Sequence, residues 1–205
     1  MPDPSPRGFD DVLLRARHGQ RDALDALFEW FRNYLLVLAT TVVRRHLRGK
    51  ADAADVVQEA MLRGWSSFAE FRGTTEAEWM GWLRRILSTT LINLDRRFGS
   101  ASRDTRREQS LETSVHEASE RLGSLLPGPD LTASQHMRAR ERGVALADAL
   151  SRLDPPDRQV VELRILQGLE WQEIAELTGT TGDAARMQCR RALARLAALL
   201  SRGLP

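Results

Sequence analysis

One cysteine, one lysine and four histidines are all that this 205-residue chain holds of three residue types that often carry chemistry. The lone Cys189 cannot close an internal disulfide, and its position on an apolar helical stripe reads as a small core residue. His18, His46, His116 and His136 are scattered without metal-ligand spacing. No apolar run approaches the roughly 20 residues that a bilayer-spanning helix requires, so no membrane is expected as a partner. The opening MPDPSPRGFDD lacks the pattern of a secretory leader, and a cytoplasmic location is expected. There is no phosphate-binding glycine loop, no metal cluster and no nucleophile set beside a base. No cofactor is therefore expected, and an enzyme would have to rest on scattered carboxylates alone. Strand-type alternation and internal repeats are also absent, which leaves an all-α fold.

What the chain does have is arginine. All but one of its 30 basic residues are arginine, while the net charge is only +2. Arginine favours bidentate and stacked contacts with phosphates and bases. The small net charge argues for localised basic faces and against a general nucleic-acid coat.

The stretch from Leu169 to Leu200 organises the rest. A short helix from Trp171 is expected to turn Ile174, Ala175 and Leu177 inward, and Gly179 suits a turn with positive φ. Thr181 can N-cap a second helix, with Asp183 at its positive end. Ala185, Cys189, Ala192, Leu196 and Leu199 recur at spacings of three and four as one apolar stripe. Arg186, Met187, Arg190 and Arg191 point away from it, and from Ala184 onward there are five arginines and no acid. This is the layout of a helix-turn-helix that sets its second helix in a major groove. The plainer alternative is a surface helical hairpin with a solvated arginine face.

The periodicity predicts further helices over Phe9 to Arg17, Asp22 to Leu47, Ala51 to Phe71 and Trp79 to Phe98, with residues 1–8 disordered and a basic turn from His46 to Ala51. Glu70 to Glu78 reads as a loop around Gly73. Val57, Ala60, Met61, Trp65 and Phe68 are expected to be the buried side of the third helix. Leu83, Ile86, Leu87, Thr90 and Leu94 play that part in the fourth. Residues 99–134, with LPGPD at 126–130, read as a flexible linker in which Leu111 to Leu122 allows some helix. A second domain, 135–205, should hold helices near 135–152, 156–167, 170–178 and 182–201, with Val160, Leu163, Ile165 and Leu166 in its core.

Two patterns in the first domain, 1–98, bear on function. Asp52, Asp55 and Glu59 lie within about 60° of one another at 100° per residue. Gln58 flanks them, and Arg63 can pair with Glu59. Such a run is usually just a solvated face. Beside a DNA-reading helix, however, it should repel DNA, and it better fits a basic protein partner. On the fourth helix Trp82, Arg85, Thr89, Asn93 and Arg96 form a ridge, with Arg84 and Arg97 nearby. Aromatics beside arginines suit single-stranded nucleic acid, since base stacking tolerates any sequence. Alternatively, Trp79 and Trp82 are core aromatics and only the arginines are wet.

The run ADAADVVQEAMLRGWSSFAEFRG, followed by WMGWLRRILSTTLINLDRR, resembles the second conserved region of bacterial sigma factors. The run ALADALSRLDPPDRQVVELRILQGLEWQEIAELTG with its arginine helix resembles their fourth. The third region is missing, which is similar to the extracytoplasmic-function (ECF) group of the sigma-70 family. The resemblance covers about residues 10–98 and 136–200, and its most specific element is the DxxDxxQExxxxxW run from Asp52 to Trp65. It implies a protein that binds core RNA polymerase and directs promoter recognition, strand opening and initiation. Asp52, Asp55, Gln58 and Glu59 would face the clamp helices of the largest subunit. The loop of Phe71, Arg72, Gly73, Thr74 and Thr75 would hold a flipped base of the minus-ten element. The ridge, with Arg97, would keep its strands apart. Thr181, Arg186, Met187, Arg190 and Arg191 would read the minus-thirty-five duplex. The linker would thread through the polymerase, and an anti-sigma factor becomes a candidate partner.

The chain departs from the family pattern at Thr178, Gly182 and Ala185, where changes in packing would tilt the recognition helix. The competing readings are a free-standing helix-turn-helix regulator with an N-terminal sensor, and a nucleic-acid enzyme. A sensor needs neither the acidic face nor the Trp-Arg ridge.

Overall fold

The computed structural model describes residues 6–47, 51–98, 105–125 and 143–203. Every regular element among them is helical. The chain divides into two compact units after Glu117.

In the first unit α1 (Pro6–Arg17) and α2 (Arg21–Val42) are joined at Gly19, whose φ of 83° is what a glycine turn allows. The expected α1 of Phe9 to Arg17 therefore begins earlier, and only residues 1–5 of the expected disordered start lie outside the described residues. The predicted stripe of α2 is buried throughout: Leu24, Leu27, Phe28, Phe31, Leu35, Leu38 and Val42. A π turn, Val43–Leu47, continues it, so His46 is helical rather than part of a turn; 48–50 lie outside the described residues. The helix Arg21–Leu47 is long and apolar enough to cross a membrane, but the run serves here as the core helix of the unit.

Helix α3 (Ala53–Ser67) ends in a 3-10 turn, Phe68–Glu70, and α4 runs Glu76–Arg97. The buried stripe of α3 is Val56, Val57, Ala60 and Gly64. Trp65 is not in it. It stands 39% exposed, and its indole donates to the Asp25 carboxylate at 3.0 Å. Met61 and Phe68 are only half-buried. At 100° per residue the four small or branched residues define the inner line, and Trp65 lies one step outside it. Gly64 is required there, because a Cβ would stand 2.7 Å from the Phe28 ring. In α4 Trp79, Met80, Leu83, Leu87, Thr90, Leu91 and Ile92 are buried, while Ile86 and Leu94 are half-buried.

The expected linker contains a long helix, α5 (Thr105–Ser124). Leu111, Val115, Ala118 and Leu122 are at most 2% exposed, a stripe at spacings of four, three and four. Its abundance of small polar residues hid that periodicity. Arg96 donates to Glu108, His46 Nε2 and Ser114 Oγ are 2.7 Å apart, and Arg45 lies 3.4 Å from Glu117.

The second unit has α6 (described over 143–151), α7 (Pro155–Val161) with a π turn Glu162–Leu166, α8 (Trp171–Thr178) and α9 (Gly182–Gly203). Pro155 and Pro156 open α7, where their missing N–H groups cost nothing. Val160, Leu163, Leu166, Ile174 and Ala175 meet Ala185, Cys189, Ala192 and Leu196 in the core. Ile165 is only half-buried, and Leu200 rather than Leu199 completes the α9 stripe. Buried Asp157 accepts hydrogen bonds from Arg195 at 2.6 Å and Gln188 at 3.2 Å, which ties α9 to the start of α7.

Candidate nucleic-acid and protein interfaces

The turn between α8 and α9 is built as its residues require. Gly179 has φ 67°, and the Thr180 amide donates to the Ala175 carbonyl at 3.0 Å. Thr181 Oγ1 caps α9 by accepting from the Ala184 amide at 3.2 Å. Leu177, expected inside, is 61% exposed; at 100° per residue Ile174 and Ala175 take the inner line. Thr178 fits where an apolar residue is usual because its hydroxyl donates to the Ile174 carbonyl at 2.7 Å and lies 2.9 Å from the Thr180 hydroxyl. Gly182 is not needed for space, since the nearest atom to an added Cβ would be 3.7 Å away. Gly182→Ala should therefore raise the stability of this unit by about 0.4–1 kcal/mol through a less flexible unfolded chain. Urea denaturation reads that change, and a loss of stability would refute the packing.

With the apolar stripe inward, Arg186, Met187, Arg190 and Arg191 are all exposed on the outer face of α9. Among the described residues no carboxylate pairs with these three arginines, whereas Arg195 is committed to Asp157 and Asp154. Burial pushes the Cys189 thiol above its ordinary pKa, with the Arg164 charge opposing, so the group is a core thiol and not a reactive one.

In the first unit the outer face of α3 carries exposed Asp52, Asp55 and Gln58 and half-exposed Glu59. Asp52 is also the N-cap of α3, accepting from the Ala54 amide at 2.7 Å. Glu59 pairs with Arg63 and lies 3.8 Å from Arg97. The most open charge on this face is therefore Asp55. Leu62, 65% exposed, lies between them on the same face.

An aromatic wall runs from the core to the surface beside the loop before α4. Trp79 is fully buried, with ring centroids 5.2 Å from Phe71 and 5.0 Å from Trp82. Phe71 and Trp82 are 5.2 Å apart. Phe71, within the loop expected to hold a flipped base, is only 6% exposed, and its ring is packed into the wall. Half-buried Trp82 joins the wall to the surface. The loop itself is shorter than Glu70 to Glu78, because Thr75 already caps α4 in a capping box with Glu78. Hydrogen bonds from Thr74 and Thr75 hold the Glu78 carboxyl below its usual range. The capping is thus fully present above the ordinary carboxylate pKa and is lost as pH falls through the lowered one.

The ridge of α4 follows. Arg85 and Thr89 are exposed, Asn93 is half-buried, and Arg96 is exposed but held by Glu108 of α5. Arg84 belongs to the interior side, where it donates to the Tyr34 hydroxyl at 3.0 Å.

Comparison with known proteins decides what these faces belong to. The model of sigma-70 region 2 matches residues 31–100, and that of sigma-70 region 4 matches residues 143–196. The chain is 27% identical over 185 residues to an ECF RNA polymerase sigma-E factor of Haemophilus influenzae, covering 89% of this chain and 90% of that one. It is 32% identical over 192 residues to the ECF RNA polymerase sigma factor SigM of Mycobacterium tuberculosis, covering 93% and 84%. The chain belongs to the ECF sigma-70 family. As a sigma factor it directs promoter recognition and transcription initiation.

The region 2 match of this sigma factor takes in most of α2, all of α3 and α4, and hence both the acidic face and the aromatic wall. The region 4 match takes in the helix-turn-helix. Helix α5 falls in neither. Sequence reasoning about the sigma factor missed two contacts in its first unit, the second of which reaches the loop. Trp65 is set by Asp25, and Arg17 of α1 reaches the Gly73 carbonyl. Both join residues far apart in the chain, and no local spacing signals them.

Proposed function

We propose a division of labour among the faces of this sigma factor. Asp55, Gln58 and Glu59 of α3, with Asp52 at its cap, bind the clamp helices of the largest subunit of core RNA polymerase. The loop of Arg72, Gly73, Thr74 and Thr75, backed by Phe71 and Trp82, receives a base of the minus-ten element. Arg85, Thr89, Asn93, Arg96 and Arg97 accompany the opened strands. Thr181, Arg186, Met187, Arg190 and Arg191 read the minus-thirty-five duplex. The chain works by binding and not by catalysis: contacts with the displaced strand offset the few kcal/mol that flipping a base costs. It acts in the cytoplasm, where an anti-sigma factor would compete for the same faces.

The observation that carries this reading is the separation of charge by face. A carboxylate row on α3, most open at Asp55, would repel DNA, while Arg186, Arg190 and Arg191 of α9 face outward with no carboxylate paired to them among the described residues. A free-standing regulator needs only the second. The test is retention of core polymerase by the tagged protein, followed by sequencing of the RNA starts it directs. Asp55→Arg should weaken retention at least about tenfold, since like charges at a basic partner are costly, and should leave duplex binding by the second unit unchanged. Undiminished retention of polymerase by Asp55→Arg would remove α3 from the interface.

A further inference from the structure

We propose that Arg17, on α1, is a positioning residue that holds the base-receiving loop in shape. The inference rests on the reading above that this loop takes a minus-ten base. The loop is clamped from two sides. From within, Glu78 Oε2 accepts the Thr74 amide at 2.8 Å, the Thr75 amide at 3.0 Å and the Thr75 hydroxyl at 2.9 Å. From outside, Arg17 Nη2 donates to the Gly73 carbonyl, and its guanidinium carbon lies 5.9 Å from the centroid of the Phe71 ring.

Gly73 is where the two clamps meet. A Cβ there would stand 2.6 Å from Phe71 and 2.7 Å from Glu78 Cβ, so the backbone already rests on both side chains. With that approach fixed, the carbonyl has little freedom to follow a moving partner. Arg17 is otherwise exposed, and among the described residues no carboxylate neutralises it. A charge-assisted hydrogen bond from a helix terminus is a firmer strut than a neutral one. Order in the loop before binding lowers the cost of fixing it around an extruded base. Phe71 is the floor of the same loop and packs on Trp79 and Trp82, so Arg17 ties the floor and the rim to α1 at once.

The experiment uses the holoenzyme reconstituted with core polymerase and fork-junction promoter DNA carrying 2-aminopurine at successive minus-ten positions. The wild-type protein should raise the fluorescence at one position. Arg17→Ala should weaken that capture about tenfold, and Arg17→Lys, which keeps a charged donor, should restore most of it. Binding of core polymerase and of the minus-thirty-five duplex should not change. Hydrogen exchange of the free protein supplies a readout without DNA: the Thr74 and Thr75 amides should exchange about tenfold faster in Arg17→Ala, with the α2 amides unchanged. Equal capture by Arg17→Ala, or unchanged exchange at Thr74 and Thr75, would overturn the role of Arg17. Faster exchange together with no fluorescence change at any position in the wild type would instead overturn the base-holding reading and leave the strut in place.

Discussion

Trp79→Ala should destabilise the first unit by about 3–5 kcal/mol, the range for emptying a buried aromatic site. The residue is fully buried, and five aromatic rings lie with centroids within 6.3 Å of its own: Phe28, Phe31, Phe68, Phe71 and Trp82. No neighbour can fill so large a gap, and each edge-to-face pair adds about 0.5–1.5 kcal/mol beyond area alone. Against a total stability of about 5–15 kcal/mol for a domain, this removes from about a fifth to all of it. Trp79→Phe should cost far less. The Trp79 Nε1 group is buried and meets no hydrogen-bond acceptor among the described residues, so its removal relieves a penalty of about 1–3 kcal/mol while some ring packing survives. Urea denaturation of both variants measures the contrast. Equal losses would mean that the indole N–H is satisfied and that the ring alone does not explain the site. Because Phe71 and Trp82 lean on Trp79, the alanine variant should also lose promoter opening before it loses duplex binding.

Arg186→Ala and Arg190→Ala should each weaken binding to the minus-thirty-five duplex by about 1–3 kcal/mol if the guanidinium meets a base edge, and should relax the preference at one position. Arg191→Ala, if it meets phosphate, should weaken all sequences alike and reduce the salt slope by about one. The three differ from Arg195, whose guanidinium is paired with Asp157 at 2.6 Å. Arg195→Ala should lower the stability of the second unit, because Asp157 is 8% exposed and would keep Gln188 as its remaining partner there. Fluorescence anisotropy with a labelled duplex, set beside denaturation of each variant, separates reading from folding. Undiminished affinity and selectivity in both Arg186→Ala and Arg190→Ala would take α9 out of the groove.

The helix-turn-helix was legible because its signals are local. A glycine that takes a left-handed φ, a threonine three residues from the amide it caps, and an apolar stripe at spacings of three and four all lie within one short stretch. The same holds for α2, whose buried line matches the periodicity residue by residue. Trp65 and Leu177 went the other way. Both are large apolar residues placed inside on type, and both stand off the buried line of their helix, which is Val56, Val57, Ala60 and Gly64 in α3 and Ile174 and Ala175 in α8. Helix α5 was underestimated because only Leu111, Val115, Ala118 and Leu122 carry its stripe, among serines, threonines and glutamates that mimic a linker.

Periodicity, capping residues and charge placement along the chain were thus sufficient for an all-helical protein with an acidic face on one helix and an arginine face on another. They could not say that Phe71 is a floor and not a platform, that Arg96 is held by Glu108, or that Arg17 reaches Gly73 across 56 positions. The reason is physical. Helix and cap signals arise between residues a turn apart, where spacing alone sets proximity. The loop's shape and the free charges depend on contacts closed through space, whose geometry exists only once the helices have packed.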